Sequence, residues 1–440
     1  MDEYLDELAD FLRIPSVSAE PAHADDVRRA GEWVCEFVRR SGGEAQLVPT
    51  STHPLALGEI PASNGKAGAP TVLLYGHFDV QPPAPLELWT SPPFDATVDG
   101  EWIVGRGIVD DKGGLYQLLK GAQLLSAEGK LPVNVRIACD GEEEVGGHSI
   151  VEFIAADERG ADVCLIFDGG MERRGVPAFG VGVRGVLSYM LDIRTGERDL
   201  HSGLYGNAVL NAIHALHELL GALLPRKGRV PDELREGVSP PTAEERQAWD
   251  ELKTGEEMIA QGGARPYDDS AAEEFYVRTT AEPSFELNGV LGGKPGLQNT
   301  TIPAVAQANF TVRLAPGQDV ETIDGAVREL LRGAAPPGAE VDLRLVSSAP
   351  PGLVAPDSPA IRIAQDVFER TVGRRPLLAR SGGTLPIVPA LVESGIPPIL
   401  AGFGLLESNV HSPNERMLAE YLPLGVETAR ELYLAFGELR

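Results

Sequence analysis

Cysteine is scarce, positive charge is short, and long hydrophobic runs are missing. The three cysteines, Cys35, Cys139 and Cys164, contain no CxxC pair. An odd count with apolar neighbours (Ile137 and Ala138, Val163 and Leu165) predicts buried thiols in a reducing compartment and excludes a disulfide framework. Lys and Arg number 38 against 65 Asp and Glu, a formal net charge of −27. So acidic a chain repels nucleic-acid phosphates and anionic lipid surfaces, and no Lys/Arg cluster offsets the excess, so no nucleic-acid partner is expected. No stretch approaches the ~20 consecutive apolar residues of a membrane helix, so no membrane association is expected. The opening Met1-Asp2-Glu3-Tyr4 has neither the basic nor the apolar region of a secretory signal, which makes the cytoplasm the expected location.

What is present is ordinary globular composition: 43% hydrophobic and 23% charged residues over 440 positions. At roughly 150 residues per domain that length predicts about three domains, or two large ones. The first half alternates short apolar runs with helical patterns. Leu5, Leu8, Phe11 and Leu12 share a helix face before Pro15, and a second helix spans roughly 24–41. Runs at 71–75, 133–139 and 163–167 read as strands, with helices at 115–125 and 149–156 between them. That alternation predicts an α/β fold, a mostly parallel sheet with helices on both faces. The middle changes character: a strand at 185–194, a helix at 207–224, an acidic Pro-rich stretch over 226–282, then strand, helix and strand at 307–314, 319–332 and 341–346. This reads as a smaller α+β domain at 186–350, inserted into a larger domain made of 1–185 and 351–440. A helix at 358–371, a strand at 397–403 and a helix at 421–439 complete the larger domain.

Chemistry-bearing residues stand where the apolar runs stop. The run ending at Tyr75 enters Gly76-His77-Phe78-Asp79, and the run ending at Cys139 enters Asp140-Gly-Glu-Glu-Glu144. The third ends at Asp168-Gly-Gly170, the last leads to His411, and Asp110-Asp111 lies in a loop entering a helix. Ligands of open α/β sheets sit at the carboxyl ends of parallel strands, so these loops should converge. One strand-end Asp is ordinarily a turn former. Several carboxylates packed together without countercharge, however, would repel one another and take up protons. Divalent cations remove the conflict, and a mixed His/carboxylate set suits Zn²⁺, Mn²⁺ or Co²⁺. Three ligating carboxylates and a bridging hydroxide would balance two such ions, an arrangement that supplies hydroxide near neutral pH.

The chain resembles the co-catalytic zinc metallopeptidases and amidohydrolases that include carnosinase-like dipeptidases, glutamate carboxypeptidase, acetylornithine deacetylase and succinyl-diaminopimelate desuccinylase. The likeness runs through Phe11-Leu-Arg-Ile-Pro-Ser-Val-Ser18, Tyr75-Gly-His-Phe-Asp-Val80, Gly105-Arg-Gly-Ile-Val-Asp-Asp-Lys-Gly113, Asp140-Gly-Glu-Glu-Glu-Val-Gly146, Asp168, Asp199-Leu-His-Ser-Gly203, Arg313, Arg380-Ser-Gly-Gly-Thr384 and His411-Ser-Pro-Asn-Glu415. It implies two divalent metal ions, zinc foremost with manganese or cobalt as alternatives. His77, Asp110 and Asp168 would hold one, and His411, Asp110 and Glu144 the other, with Asp110 bridging. Asp79 would orient His77, and Glu143 would be general base and acid toward a metal-activated water. Glu142 and Asp111 are expected to be structural. The inserted domain then resembles a lid that makes a homodimer. His201 matches a histidine that stabilises the oxyanion in the partner's site. Arg313 matches the arginine for the substrate carboxylate, with Thr300 and Thr384 beside it.

Asp168, the length and the long insertion resemble the dipeptidase branch, which implies cleavage of a small peptide substrate with free amine and carboxylate ends. The alternative is a carboxypeptidase or N-acyl-amino-acid amidohydrolase with the same metal chemistry. Carnosinase-like enzymes carry Glu where this chain has Ser381, and Lys where it has Asn299. Either another acid compensates at the amine end, or N-blocked substrates are accepted. Three features are set aside. Gly180-Val-Gly-Val-Arg-Gly185 satisfies GxGxxG but runs into a strand, which removes the mechanism of dinucleotide binding. No nucleophile elbow surrounds Ser202. His214 and His217 read as helix-face residues.

Overall fold

The computed structural model describes residues 2–65 and 68–439. The chain forms two compact units. One comprises Met1–Val181, Val354–Ala379 and Pro386–Arg440; the other comprises Gly182–Leu353 and Arg380–Leu385.

The first unit is built on a sheet whose centre is parallel. Strands Asn134–Asp140, Thr71–His77, Val163–Ile166 and Pro398–Leu400 lie side by side in that order, each pair parallel. Leu55–Ile60 and Glu44–Val48 extend the Asn134 side antiparallel. The central strands read as continuous apolar runs because both faces are covered: Val72, Leu74, Val135, Val163 and Leu165 are fully buried, as parallel sheets require. Helices Ala24–Arg40, Lys112–Ala127 and Pro359–Val372 pack on the sheet, and Asp2–Leu12 and Tyr421–Phe436 pack against those helices. The Asp2 helix presents Leu8, Phe11 and Leu12 inward and ends before Pro15. The Lys112 helix enters so close to its surroundings that side chains are excluded at its start. A Cβ on Gly113 would lie 1.9 Å from the Ile108 carbonyl oxygen, and one on Gly114 2.3 Å from that of Phe167.

The second unit is a four-stranded antiparallel sheet in the order Ser284–Gly292, Val305–Leu314, Gly185–Arg194, Glu340–Ala349. Period-two alternation sends Leu187, Tyr189, Leu191, Phe310 and Val312 into one core, against Leu216 and Leu219 of helix Ala212–Gly221 and Ile323 and Val327 of helix Val320–Ala334. One local expectation is corrected and two features were not anticipated. The helix expected from Asn207 starts at Ala212, because Asn207 takes a left-handed φ of 61° and the Asn211 side chain accepts the Ile213 N–H. The 226–282 stretch contains helices Ala243–Trp249 and Gly255–Gln261, each opened by a reciprocal capping box, Thr242 with Glu245 and Thr254 with Glu257. Strand Ser284–Gly292 had no sequence counterpart. Among the described residues no helix is long and apolar enough to cross a membrane, and Cys35, Cys139 and Cys164 are free and buried.

Candidate metal centre

The ends of the parallel strands, the loops after them and the loop entering helix Lys112–Ala127 bring five predicted ligands together in two groups that share Asp110: His77, Asp110 and Asp168, and Asp110, Glu144 and His411. Within each group one ligand atom per residue lies within 4.8 Å of the others. Asp110 divides its carboxylate between them. Its Oδ1 is 3.0 Å from His77 Nε2, and its Oδ2 is 2.8 Å from His411 Nε2. Asp168 Oδ2 lies 3.9 Å from His77 Nε2, and Glu144 Oε2 lies 3.2 Å from His411 Nε2.

The donor set fits divalent cations on three counts. His77 Nδ1 is 3.1 Å from the backbone carbonyl of Asp79, which can only accept, so Nδ1 carries the proton. In the neutral ring the Nε2 lone pair therefore faces carboxylate oxygens, which repels unless a cation stands between them. Second, Glu144 Oε1 is buried with no hydrogen-bond partner among the described residues. Third, the protein's own charges are out of balance. Burial and the charges of Asp111 and Asp110 push the Asp168 carboxyl well above the usual range. Hydrogen bonds donated to the Asp110 and Glu144 carboxylates push His411 up to about 10. His77 is raised too, burial opposing and the Asp110 and Asp79 carboxylates prevailing. Burial also opposes ionisation of Asp110, yet the two histidines hold its carboxyl low. Protons here do the work that metal ions would do.

The supporting shell explains several quoted motifs. The resemblance gives the Asp79 carboxylate to His77, but the ring's nearer partner is the Asp79 carbonyl, with Oδ1 at 3.4 Å. The buried Asp79 carboxylate also accepts the backbone N–H groups of Glu143 (3.2 Å) and Glu144 (3.1 Å) and the Ser18 hydroxyl (2.6 Å). It thus shapes the turn that presents both glutamates. Glu142 faces away, accepting the Ser149 N–H at 2.7 Å, and Asp111 accepts the His77 N–H at 3.2 Å. Burial, with Glu144, Asp110 and Asp79 nearby, pushes the Glu143 carboxyl up to about 7, against the opposing pull of His77. His411 sits at a φ of 59°, a left-handed conformation that a non-glycine residue adopts at a cost and that recurs at functional sites.

Sequence reasoning assigned no role to four residues that build the centre. Ser18 supports Asp79, and Gln81 donates to Glu144 Oε2 at 2.8 Å. Arg106 and Glu415, both buried, form a 2.7 Å ion pair. Only membership of a matched motif pointed to three of them, and nothing pointed to Gln81.

The remaining predicted residues lie in the second unit. Leu200–His201 pairs with Thr301–Ile302. His201 is exposed, and its Nδ1 accepts the Gly203 N–H at 3.0 Å, leaving the ring proton on Nε2. Thr300 is exposed beside it, its carbonyl accepting the Ser202 N–H at 2.8 Å. Arg313 donates to the Thr384 hydroxyl at 2.7 Å. His214 and His217 lie on the exposed side of helix Ala212–Gly221.

A parallel α/β sheet holding two histidines and three carboxylates around one shared aspartate, with a second α+β unit inserted in the chain, defines a hydrolase of the metallopeptidase class. A family model described as peptidase family M20/M25/M40 matches residues 73–435, and the chain belongs to that family. It is 26% identical over 442 residues to a cysteinylglycine-S-conjugate dipeptidase of Corynebacterium striatum, covering 98% of this chain and 95% of the relative. Among solved structures it is similar to the M20 family metallo-carboxypeptidase Sso-CP2 of Sulfolobus solfataricus, with a TM-score of 0.85, 28% identity and all of both chains covered. It is also similar to the dipeptidase Dug1p of Saccharomyces cerevisiae, with a TM-score of 0.78, 25% identity, and 99% of this chain and 96% of that one covered.

Proposed function

We propose that this chain is a cytoplasmic, homodimeric dipeptidase that hydrolyses the single peptide bond of substrates with a free amine and a free carboxylate, using two zinc ions. The observation that carries this reading is the pair of three-residue groups joined through Asp110. His77, Asp110 and Asp168 would hold one ion, and Asp110, Glu144 and His411 the other. All ligand atoms are nitrogen or oxygen, a set that suits zinc and also admits manganese or cobalt. Bound there, the ions supply Lewis acidity toward the scissile carbonyl and lower the pKa of water.

The chain's own residues do the rest. Glu143, with a pKa raised toward neutrality, takes a proton from water and returns it to the leaving amine. His201, its proton on Nε2, would donate to the developing oxyanion in the partner subunit's site, the kind of donor that oxyanion stabilisation uses. Arg313 offers a fork to the substrate carboxylate with Thr384 beside it, while Thr300, beside His201 at the other end of strand Val305–Leu314, would join that site only from the partner subunit. The dimer is supported by two long edge strands, Ser284–Gly292 and Glu340–Ala349, which expose Val290, Leu291 and Val346. Such edges are ready templates for pairing. The buried free cysteines favour a reducing compartment.

The test is hydrolysis of Cys-Gly beside N-acetyl-Cys-Gly by zinc- or manganese-loaded protein, with a chelator control. Chelator-sensitive cleavage of the free dipeptide alone supports the reading. Cleavage of the acetylated form replaces it with a carboxypeptidase or deacylase activity, in keeping with Ser381 and the likeness to Sso-CP2.

A further inference from the structure

The GxGxxG segment set aside as a nucleotide motif has another use. Its glycines serve close packing: a Cβ on Gly182 would sit 3.2 Å from Arg380 Cγ, and one on Gly185 2.6 Å from the Ala349 carbonyl oxygen. Its arginine, Arg184, precedes strand Gly185–Arg194. In the sheet register Val186 pairs with Arg313, and Arg313 with Ser284. Leu187, Val312 and Phe285 point into the core. Alternation then places Arg184, Val186, Arg313 and Ser284 on the opposite face.

The short segment Arg380–Leu385 folds onto that end of the face. Arg184 Nε donates to the Gly382 carbonyl at 3.0 Å, and the Arg184 N–H to the Gly383 carbonyl at 3.0 Å. Arg184 Nη1 reaches the Ser284 hydroxyl at 3.3 Å. Thr384 Oγ1 donates to the Arg184 carbonyl at 2.6 Å and accepts from Arg313 Nη1 at 2.7 Å. Every one of these acceptors is neutral. Among the described residues neither Arg184 nor Arg313 has an ion-pair partner, and Arg184 Nη2 and Arg313 Nε and Nη2 have no acceptor. The neighbouring Arg380 shows the contrast, because its guanidinium is paired with buried Glu245 at 2.6 Å. Glu286, one row along the same face, is the acid whose charge reaches Arg184, without contact. Burial and the charge of Arg313 hold Arg184 down at about 10. Two charged guanidiniums, partly buried with only the Thr384 and Ser284 hydroxyls and the Gly382 carbonyl as partners, are a cost unless an anion joins them.

We infer that Arg184 is a binding residue of the same anion site as Arg313, a two-arginine receptor for a single carboxylate. This rests on the reading in which Arg313 receives the substrate's C-terminal carboxylate, and it makes Arg184 a determinant of preference for free acids over amides. The Gly382-Gly383-Thr384 segment holds both forks in register.

The test titrates metal-reconstituted protein with N-acetylglycine and N-acetylglycinamide at matched ionic strength, two probes that differ only in the carboxylate. Wild type should bind the acid at least about tenfold more tightly. Arg184→Gln should weaken the acid roughly 10- to 100-fold and leave the amide unchanged. Arg184→Lys, which keeps the charge and loses the fork, should recover part of the loss. Equal loss for both probes in both variants would mark a loop support, and an undiminished preference for the acid in Arg184→Gln would likewise overturn the inference. If dipeptides are not hydrolysed while the acid preference persists and depends on Arg184, the catalytic reading fails and the anion site stands.

Discussion

Glu415 closes its carboxylate over the backbone of the loop that carries Asp110. Oε1 accepts the N–H groups of Val109 at 2.9 Å and Asp110 at 3.1 Å, while Oε2 accepts the Gly107 N–H at 3.0 Å and the Arg106 guanidinium at 2.7 Å. Arg106 in turn donates to the carbonyls of Pro82 and Ser412, each at 3.3 Å. The bridging carboxylate is therefore aimed by a buried ion pair that also ties down the segment bearing His411. Asn414 adds a second tie, donating to the Leu88 carbonyl at 2.8 Å and accepting the Thr90 N–H at 2.8 Å.

Replacing Glu415 by Gln puts an NH₂ group where one oxygen now accepts two donors, and leaves Arg106 buried without its charge partner. Breaking a buried pair in this way costs about 3–5 kcal/mol. Loss of the aiming contact should lower metal affinity roughly 10- to 100-fold. Thermal unfolding and metal retained after dialysis check the two effects separately. Wild-type metal retention in a folded Glu415→Gln protein would sink the positioning role.

Glu143→Gln should separate proton transfer from metal binding. Glu143 belongs to neither three-residue group, so metal content should stay near that of wild type. Turnover should fall by about 10²–10⁴, the usual contribution of general acid–base catalysis. Elemental analysis beside dipeptide kinetics reads both. A variant with wild-type turnover would remove Glu143 from the proton-transfer role.

The shared Asp110 makes metal stoichiometry diagnostic. His411→Ala removes a ligand from one group only and should retain roughly one tightly held ion, whereas Asp110→Asn weakens both groups and should retain almost none. Stripping wild type with a chelator should abolish activity and lower the unfolding temperature, since ions present at a hundred times their Kd stabilise the fold by about 2.7 kcal/mol. Equal metal loss in the two variants would argue against two separable sites.

His77, Glu144 and Asp168 were legible because a strand fixes where its last residue points, and each stands at or within four residues of the end of a buried parallel strand, whereas Asp110 and His411 lie on longer loops and were placed by their motifs. The shell behind them was not. Glu415 reaches Asp110 across 305 positions in sequence, and nothing local distinguishes a carboxylate that caps a distant loop from a solvated one. Arg380–Leu385 joins the second unit although the surrounding sequence reads as part of the first. Its membership depends on Arg380 finding Glu245 and Arg184 finding Gly382. The helices at Ala243 and Gly255 are a different case. Thr-x-x-Glu stands at both starts, a local signal that the acidic, Pro-rich composition of the stretch obscured.

That Glu245 also gives the fold a pH dependence remote from the metal centre. Its buried carboxylate meets Arg380 Nε at 2.6 Å and the Thr242 N–H at 2.6 Å. Burial alone would raise its pKa, but the hydrogen bonds and charge of Arg380, with the Thr242 bonds, outweigh it and hold the carboxyl below 4.5. A group whose folded pKa is depressed stabilises the native state above its unfolded pKa and loses that stabilisation as pH falls through the folded value. Glu245→Gln should therefore unfold at a lower temperature than wild type at pH 7, with Arg380 left buried and unpaired. The gap should stay constant while the carboxylate is ionised in both the folded and the unfolded chain, and narrow as the pH falls through the ordinary glutamate range toward the depressed folded pKa. Unfolding midpoints of both proteins from pH 7 to 3 measure the gap directly. A gap that is the same at pH 3 as at pH 7 would mean that the Glu245 charge contributes nothing and that the loss in the variant is one of packing alone.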